Sequence, residues 1–298
     1  MNLFIKNITQ LVTVASGGKR MKTGTDMRAL SIIHNAAVLC EDGKIAWVGL
    51  MSDWNRTLPD SYNQIDATGK VVLPGFVDSH THMMFAGNRA HEFALRSQGA
   101  TYQQIAEAGG GILNTITHVR SASKKDLKKH TLHYMTEMMK HGTTTVEIKT
   151  GYGLDMDSEV KMLEAIGELR DEELMTVVPT FIGAHAYPPE YKNNKKAYVE
   201  LLIERMIPYA GRKQLAKFCD VFCEKGYFEI DDSERILNEG KMWGMLPKVH
   251  AEELNPLGGA QLAARVGAVS ADHLENVTEE GIAALRESGV VAGLLPGV

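Results

Sequence analysis

Two hydrophobic rhythms divide the chain. Over residues 1–70, short apolar runs are broken by turn residues: Ala37-Val38-Leu39-Cys40 and Ile45-Ala46-Trp47-Val48-Gly49 flank Glu41-Asp42-Gly43-Lys44. Asp-Gly between two apolar runs is a strong hairpin signal, because the tightest hairpin turn needs φ > 0 at both central residues. Residues 1–70 are therefore expected to form a small β domain. After Asp66-Ala67-Thr68-Gly69-Lys70 the rhythm changes. Apolar strand candidates at Val71–Val77, Thr143–Ile148, Met175–Ile182, Asp220–Cys223, Leu246–His250, Ala268–Ser270 and Val290–Leu295 alternate with longer segments. In segments such as Ser158–Glu173 and Lys196–Tyr209 the apolar residues recur at helical spacing. Strand–helix alternation with nearly continuous apolar strands predicts a parallel sheet covered on both faces. Seven such strands over residues 71–298 predict an α/β fold, a (β/α)8 barrel of TIM type lacking its last strand. The chain finishes on the apolar stretch from Val290 to Val298, without a helix or polar tail. A terminus is ordinarily polar and frayed, so the expectation is a truncated chain.

Composition narrows the classes. With 44% hydrophobic and 23% charged residues among 298, the chain can bury one large core or two modest ones. A net charge of -5 leaves no basic excess to neutralise phosphates, which argues against general nucleic-acid binding. The lysines from Lys124 to Lys129, with Asp126 among them, read as a solvated helix face. No apolar stretch approaches the ~20 residues a membrane helix needs, and Met1–Lys6 lacks the pattern of a signal peptide. Cys40, Cys219 and Cys223 cannot complete a disulfide framework and have no zinc-ribbon spacing; reduced thiols in a cytoplasmic protein are expected.

The candidate chemistry sits where strands end. In a barrel of this type, residues just past the carboxyl ends of the strands share one site. The first strand candidate runs into Asp78-Ser79-His80-Thr81-His82, and two histidines two apart on an extended segment point to the same side, where they can share a metal ion. Later strands end in Glu147-Ile148-Lys149-Thr150-Gly151-Tyr152, Gly183-Ala184-His185, His250-Ala251-Glu252-Glu253 and Asp272-His273-Leu274-Glu275. A lone histidine at a strand end is more often structural, but five of them at four strand ends are not explained that way. Gly109-Gly110-Gly111 follows a helical stretch and lacks a phosphate-loop lysine, so it reads as a loop near the site mouth. His130 and His133 read as a solvated part of a lysine-rich helix. Lys149 is placed where a carbamylated lysine could bridge two metals, but nothing independent marks a second ion.

Leu73-Pro74-Gly75-Phe76-Val77-Asp78-Ser79-His80-Thr81-His82 resembles the first-strand signature of the amidohydrolase superfamily. Within it, the segments Phe85–Phe93, Gly109–Ile112, Lys149–Leu154 and Phe222–Gly226 resemble the imidazolonepropionases, a ring-opening family of histidine breakdown. The resemblance covers the whole chain. It implies a small N-terminal β-sandwich domain, here incomplete, beside the barrel. It implies one divalent ion, zinc or iron, on His80, His82 and His250, and substrate contacts from Arg89, Tyr102, Tyr152, His185 and Glu253. Taken singly, Arg89 reads more readily as a surface cation, the tyrosines as packed rings and His185 as a buried structural residue. With the resemblance, Arg89 is suited to grip a carboxylate tail as a bidentate fork. The implied reaction is metal-assisted hydrolysis of 4-imidazolone-5-propanoate to N-formimino-L-glutamate. His273 would polarise the carbonyl or stabilise the oxyanion, and Glu253 would orient the water or move its proton. The resemblance also implies a homodimer. The family pattern adds an aspartate after an eighth strand, and further strands of the β domain, which this chain does not reach. Unpaired sheet edges then predict poor stability and weak or absent activity if the chain is complete. Rival readings are another cyclic amidohydrolase or heterocycle deaminase, and a noncatalytic metal-binding remnant.

Overall fold

A computed structural model describes residues 2–19, 21–100, 104 and 110–296. The chain divides into two compact units, Met1–Gly75 and Phe76–Val298. In the first, β1 (Leu3–Val12) is the hub of one mixed sheet: β2 (Ile32–Glu41) pairs with it antiparallel, while β4 (Asn63–Asp66) and β5 (Val71–Val72) pair with it parallel. The Asp-Gly hairpin forms as expected, with Glu41 opposite Lys44 at the start of β3 (Lys44–Leu50). Asp42 and Gly43 take φ of 50° and 75°, the paired positive values a two-residue turn requires. Ile8, Leu11, Ala36 and Val38 pack on one side of this sheet and Phe4, Ala37 and Leu39 on the other, so both faces carry apolar clusters.

The second unit is a parallel sheet of seven strands in simple sequential order. They are β6 (Phe76–Asp78), β7 (Thr143–Lys149), β8 (Thr176–Ala184), β9 (Phe218–Cys223), β10 (Leu246–Ala251), β11 (Ser270–His273) and β12 (Val291–Gly293). Sequential parallel pairing with intervening helices curls the sheet into a barrel. Its outer strands face each other across an opening of ≈ 320 Å³ lined by Phe76, Val77, Gly293 and Leu294 among others. The fold is thus a TIM-type α/β barrel with seven of eight strands among the described residues, and a small β unit in which they form a single sheet.

One strand expectation is corrected. The run Val71–Val77 is not one strand: Val71 and Val72 pair with Gln10 and Leu11, whereas Phe76–Asp78 pair with β7. Pro74 and Gly75 separate the two, and Pro74 has no N–H to carry a ladder onward.

Side-chain caps start two of the four helices that bear on the site. The four are α1 (Ala90–Ser97), α2 (Ile112–Ser121), α3 (Lys124–Lys140) and α4 (Met156–Asp171). Ser123 and Asp155 cap α3 and α4 by accepting from the backbone N–H of Asp126 and Ser158. The expected helix over Lys196–Tyr209 is found as Lys195–Leu201 and Ile207–Arg212 joined by a π turn over Leu202–Met206. Pro208, just past that turn, supplies no N–H to the helical ladder. Cys219 and Cys223 are buried free thiols, and Cys40 is free and partly buried. Among the described residues no helix is long and apolar enough to cross a membrane.

Candidate active site

Parallel strands carry their carboxyl ends to one rim, and that rim is where the histidines meet. His80 and His82 follow β6, His185 follows β8, His250 lies on β10 and His273 closes β11. They line one cleft of ≈ 780 Å³ together with Arg89, Tyr152 and Glu253, and with Ile112, Phe222 and Tyr227 supplying apolar and aromatic wall. All of the site residues expected from the sequence therefore share this cleft except Tyr102, which lies outside the described residues. Arg89 is the residue before α1, and Ile112 opens α2, with Gly110 and Gly111 just ahead of it. His130 and His133 lie apart on α3, where His130 packs edge-on against Phe85 and Tyr134.

Three imidazoles are arranged as ligands. One nitrogen each of His80, His82 and His250 lies within 4.8 Å of the others. His80 Nδ1 lies 2.8 Å from Asp272 Oδ2, and His250 Nδ1 lies 3.1 Å from Asp220 Oδ1. Each Nδ1 therefore donates to a carboxylate, which leaves Nε2 with a bare lone pair. Nε2 of His250 and Nε2 of His82 approach to 3.2 Å inside the protein. Nitrogen lone pairs converging in a buried pocket are the donor set of a divalent ion with open coordination positions, so these residues fit a metal. Burial, then the neighbouring histidines, hold His82 well below the ordinary histidine range; burial outweighs Asp220 in doing the same to His250. Both are neutral, as ligands must be.

The remaining groups surround that cluster. His185 stacks on His82 with ring centroids 4.7 Å apart and 13° between planes, and its Nδ1 donates to the carbonyl of Gly151 at 3.0 Å. Burial pushes its pKa down to about 4, so it stays neutral. Tyr152 lies against both rings, and burial raises its phenol. His273 Nε2 faces Glu253 Oε2 across 3.5 Å, with Glu275 on the Nδ1 side at 3.7 Å. Burial raises the Glu253 carboxyl and lowers His273. Lys149 is not a bridging ligand: its ammonium is fully buried 2.8 Å from Glu147 and 2.7 Å from Asp220. Burial opposes that charge, but Asp220 and Glu147 outweigh it and raise the pKa.

Buried carboxylates hold the site loops by their backbones. Glu159 on α4 accepts from the N–H groups of Gly151, Gly153 and Leu154, fixing the turn that presents Tyr152. Gly151 sits at φ 93°, and a Cβ there would lie 2.8 Å from the carbonyl oxygen of Ile182. Glu224 accepts from the N–H groups of Lys225, Leu254 and Asn255, tying the loop after β9 to the one carrying Glu253. Glu92 on α1 accepts from the N–H of Gly111. Replacing Glu159 with alanine leaves three buried donors without a partner. Urea unfolding is expected to show a loss of about 3 kcal/mol, and a loss below about 1 kcal/mol would remove Glu159 from this role.

A family model described as "Amidohydrolase family" matches residues 63–146. The imidazolonepropionase of Geobacillus sp. (strain WCH70) is 47% identical over 298 residues, covering 99% of this chain and 70% of that protein. The chain belongs to the imidazolonepropionase family. A second imidazolonepropionase, from Symbiobacterium thermophilum, is 48% identical over 100% of this chain and 70% of its own length. The chain thus spans about 70% of the length of these family members. Solved structures similar in fold include E. coli guanine deaminase, with TM-score 0.65, 13% identity and coverage of 99% of this chain and 67% of that one. Another is 5-methylcytosine deaminase from Klebsiella pneumoniae, with TM-score 0.64, 16% identity and coverage of 97% and 65%.

Sequence reasoning missed the layer beneath the histidine rim, Asp220, Lys248 and Asp272, and the anchors Glu159 and Glu224. A signal was present. Glu147 and Lys149, Lys248 and His250 are ionisable residues two apart within strands that carry no other charge, so each pair faces one side of the sheet.

Proposed function

We propose that the chain carries the ring-opening chemistry of its family, hydrolysing 4-imidazolone-5-propanoate to N-formimino-L-glutamate as a cytoplasmic metal-dependent amidohydrolase. The observation that carries this reading is one cleft shared by a three-imidazole cluster and the guanidinium of Arg89. A divalent ion, zinc or iron, held by His80, His82 and His250 supplies Lewis-acid activation of water and of the ring carbonyl. Arg89 grips the propanoate carboxylate, and Tyr152 beside it donates to the tail or ring. Tyr102 is assigned to the same task from the sequence alone. His185, neutral and anchored through Nδ1, offers Nε2 to a ring heteroatom. Glu253 takes the proton of the attacking water; its raised pKa suits a carboxylate that must hold a proton and then release it. His273 stabilises the oxyanion that forms when water oxygen bonds to the ring carbonyl carbon. The C–N bond to the ring then breaks, the nitrogen leaves with the proton passed on by Glu253, and the water oxygen remains in the new carboxylate. The partner is a small substrate with a carboxylate tail, and the assembly proposed is a homodimer.

The test follows loss of imidazolone propionate absorbance with the purified chain, with metal content determined on the same sample. Ring opening with about one ion per chain is the expected result. Arg89→Met should then raise KM by about 10²-fold, the scale for deserting one partner of a charged pair. A neutral heterocycle turned over with equal efficiency by Arg89→Met and the parent chain would favour a deaminase instead. Metal bound without hydrolysis would overturn the assignment for this chain.

A further inference from the structure

Below the cluster of imidazoles lies a layer of charge that has no part in the reaction just described. Glu147, Lys149, Asp220, Lys248 and Asp272 are each 4% exposed or less, and all except Asp272 lie on strands β7, β9 and β10; Asp272 is on β11. An ion buried alone costs several kcal/mol, so five together are tolerated only if each has partners of opposite sign. Their bonds run without a break. Asp272 accepts from His80 Nδ1 at 2.8 Å and pairs with Lys248 Nζ at 3.1 Å. Lys248 Nζ donates to Glu147 at 2.6 Å, Glu147 accepts from Lys149 Nζ at 2.8 Å, and Lys149 Nζ donates to Asp220 at 2.7 Å. Asp220 in turn accepts from His250 Nδ1 at 3.1 Å.

The two ligand imidazoles are therefore the ends of one arc in which carboxylate and ammonium alternate. Glu147 is its midpoint, capped by the hydroxyl of Thr180. Lys248 is also tied to the backbone beside His80, donating to the carbonyl of Ser79 at 2.9 Å. Glu147, Lys149 and Lys248 do not line the cleft. Three carboxylates against two ammoniums leave one net negative charge (3 − 2) beneath the imidazole cluster.

We propose that Glu147, flanked by Lys149 and Lys248, is a positioning residue for the metal, holding His80 and His250 together with Nδ1 protonated inward and Nε2 free outward. If the midpoint is removed, both ammoniums lose a shared partner and draw on Asp272 and Asp220 instead. Both imidazoles then loosen at once, although neither touches Glu147. This inference rests on reading the three histidines as a metal site.

The test uses the metal-free chain. Histidine NMR of the parent should show two slowly exchanging Nδ1 protons, one each for His80 and His250, identified by single replacement of each histidine; absence of either would overturn the arc outright. Cobalt(II) affinity is then measured by competition with a chelator. Glu147→Gln, folded by circular dichroism, should bind cobalt about 10–100-fold more weakly, the scale for partners behind a ligand, and should shift both proton signals. Should Glu147→Gln not fold, Glu147→Gln with Lys149→Met removes one charge of each sign and is read the same way. Cobalt affinity within twofold of the parent, or movement of only one histidine signal, would refute the coupling. A parent chain that binds no cobalt would instead refute the metal site itself, so the two failures are told apart.

Discussion

His250→Ala is expected to reduce turnover of imidazolone propionate by at least about 10³-fold and to lower bound metal well below one ion per chain. The scale follows from losing several kcal/mol of transition-state stabilisation, each ~1.4 kcal/mol being tenfold in rate. His250 is the ligand that the sheet holds most firmly: it is 1% exposed, lies within β10 rather than after it, and is bonded through Nδ1 to Asp220. Its removal also takes away one of the hydrogen bonds that Asp220 receives, so some stability is lost with the metal. Metal analysis and kcat/KM on the same preparation check the two effects together. Retention of turnover within tenfold of the parent chain would exclude His250 as a ligand.

The second large effect is expected at the facing pair above the cluster. Glu253→Gln and His273→Asn should each lower kcat by about 10²–10⁴-fold while leaving KM and metal content nearly unchanged, as for removal of a positioned acid–base group. The two side chains sit 3.5 Å apart, with burial pushing the carboxyl up and the imidazole down, an arrangement that separates a proton acceptor from a neutral hydrogen-bond donor. His273 lies at φ 81°, a left-handed conformation that asparagine tolerates better than most residues. Asparagine therefore removes the imidazole at little backbone cost, so a fall in kcat reports chemistry and not refolding. Near-normal turnover by Glu253→Gln would take that carboxylate out of the mechanism.

Much of this arrangement was legible in the sequence, for a physical reason. Parallel strands buried on both faces must be apolar nearly throughout, so their ends stand out where His82, His185 and His273 interrupt the run. The same logic failed at Val71–Val77. A mostly apolar run hides a change of sheet, and only Pro74, which cannot donate to a ladder, and Gly75 mark it. The charged layer was only half legible: the spacing of Glu147 and Lys149, and of Lys248 and His250, marks shared faces but not which residues pair across strands. Lys149 meets Asp220, and Lys248 meets Glu147 and Asp272, only when pairing brings β7, β9, β10 and β11 side by side, with 101 positions between Lys248 and Glu147. Glu159 and Glu224 were invisible because what they bind is backbone, which no residue pattern records.

That last feature bears on how such a site can change. Glu159, Glu224 and Glu92 grip their loops chiefly through peptide N–H groups, and the side chains that add to this, Asn255 on Glu224 and Asn114 on Glu92, are not ones that line the cleft. The path of each loop is thus set independently of what it presents to the cleft. Tyr152, Leu254 and Ile112 can be exchanged for other residues without asking the chain to find a new course. A lineage could drift from one ring to another by small steps at these positions, while the three glutamates stayed fixed and kept every intermediate folded.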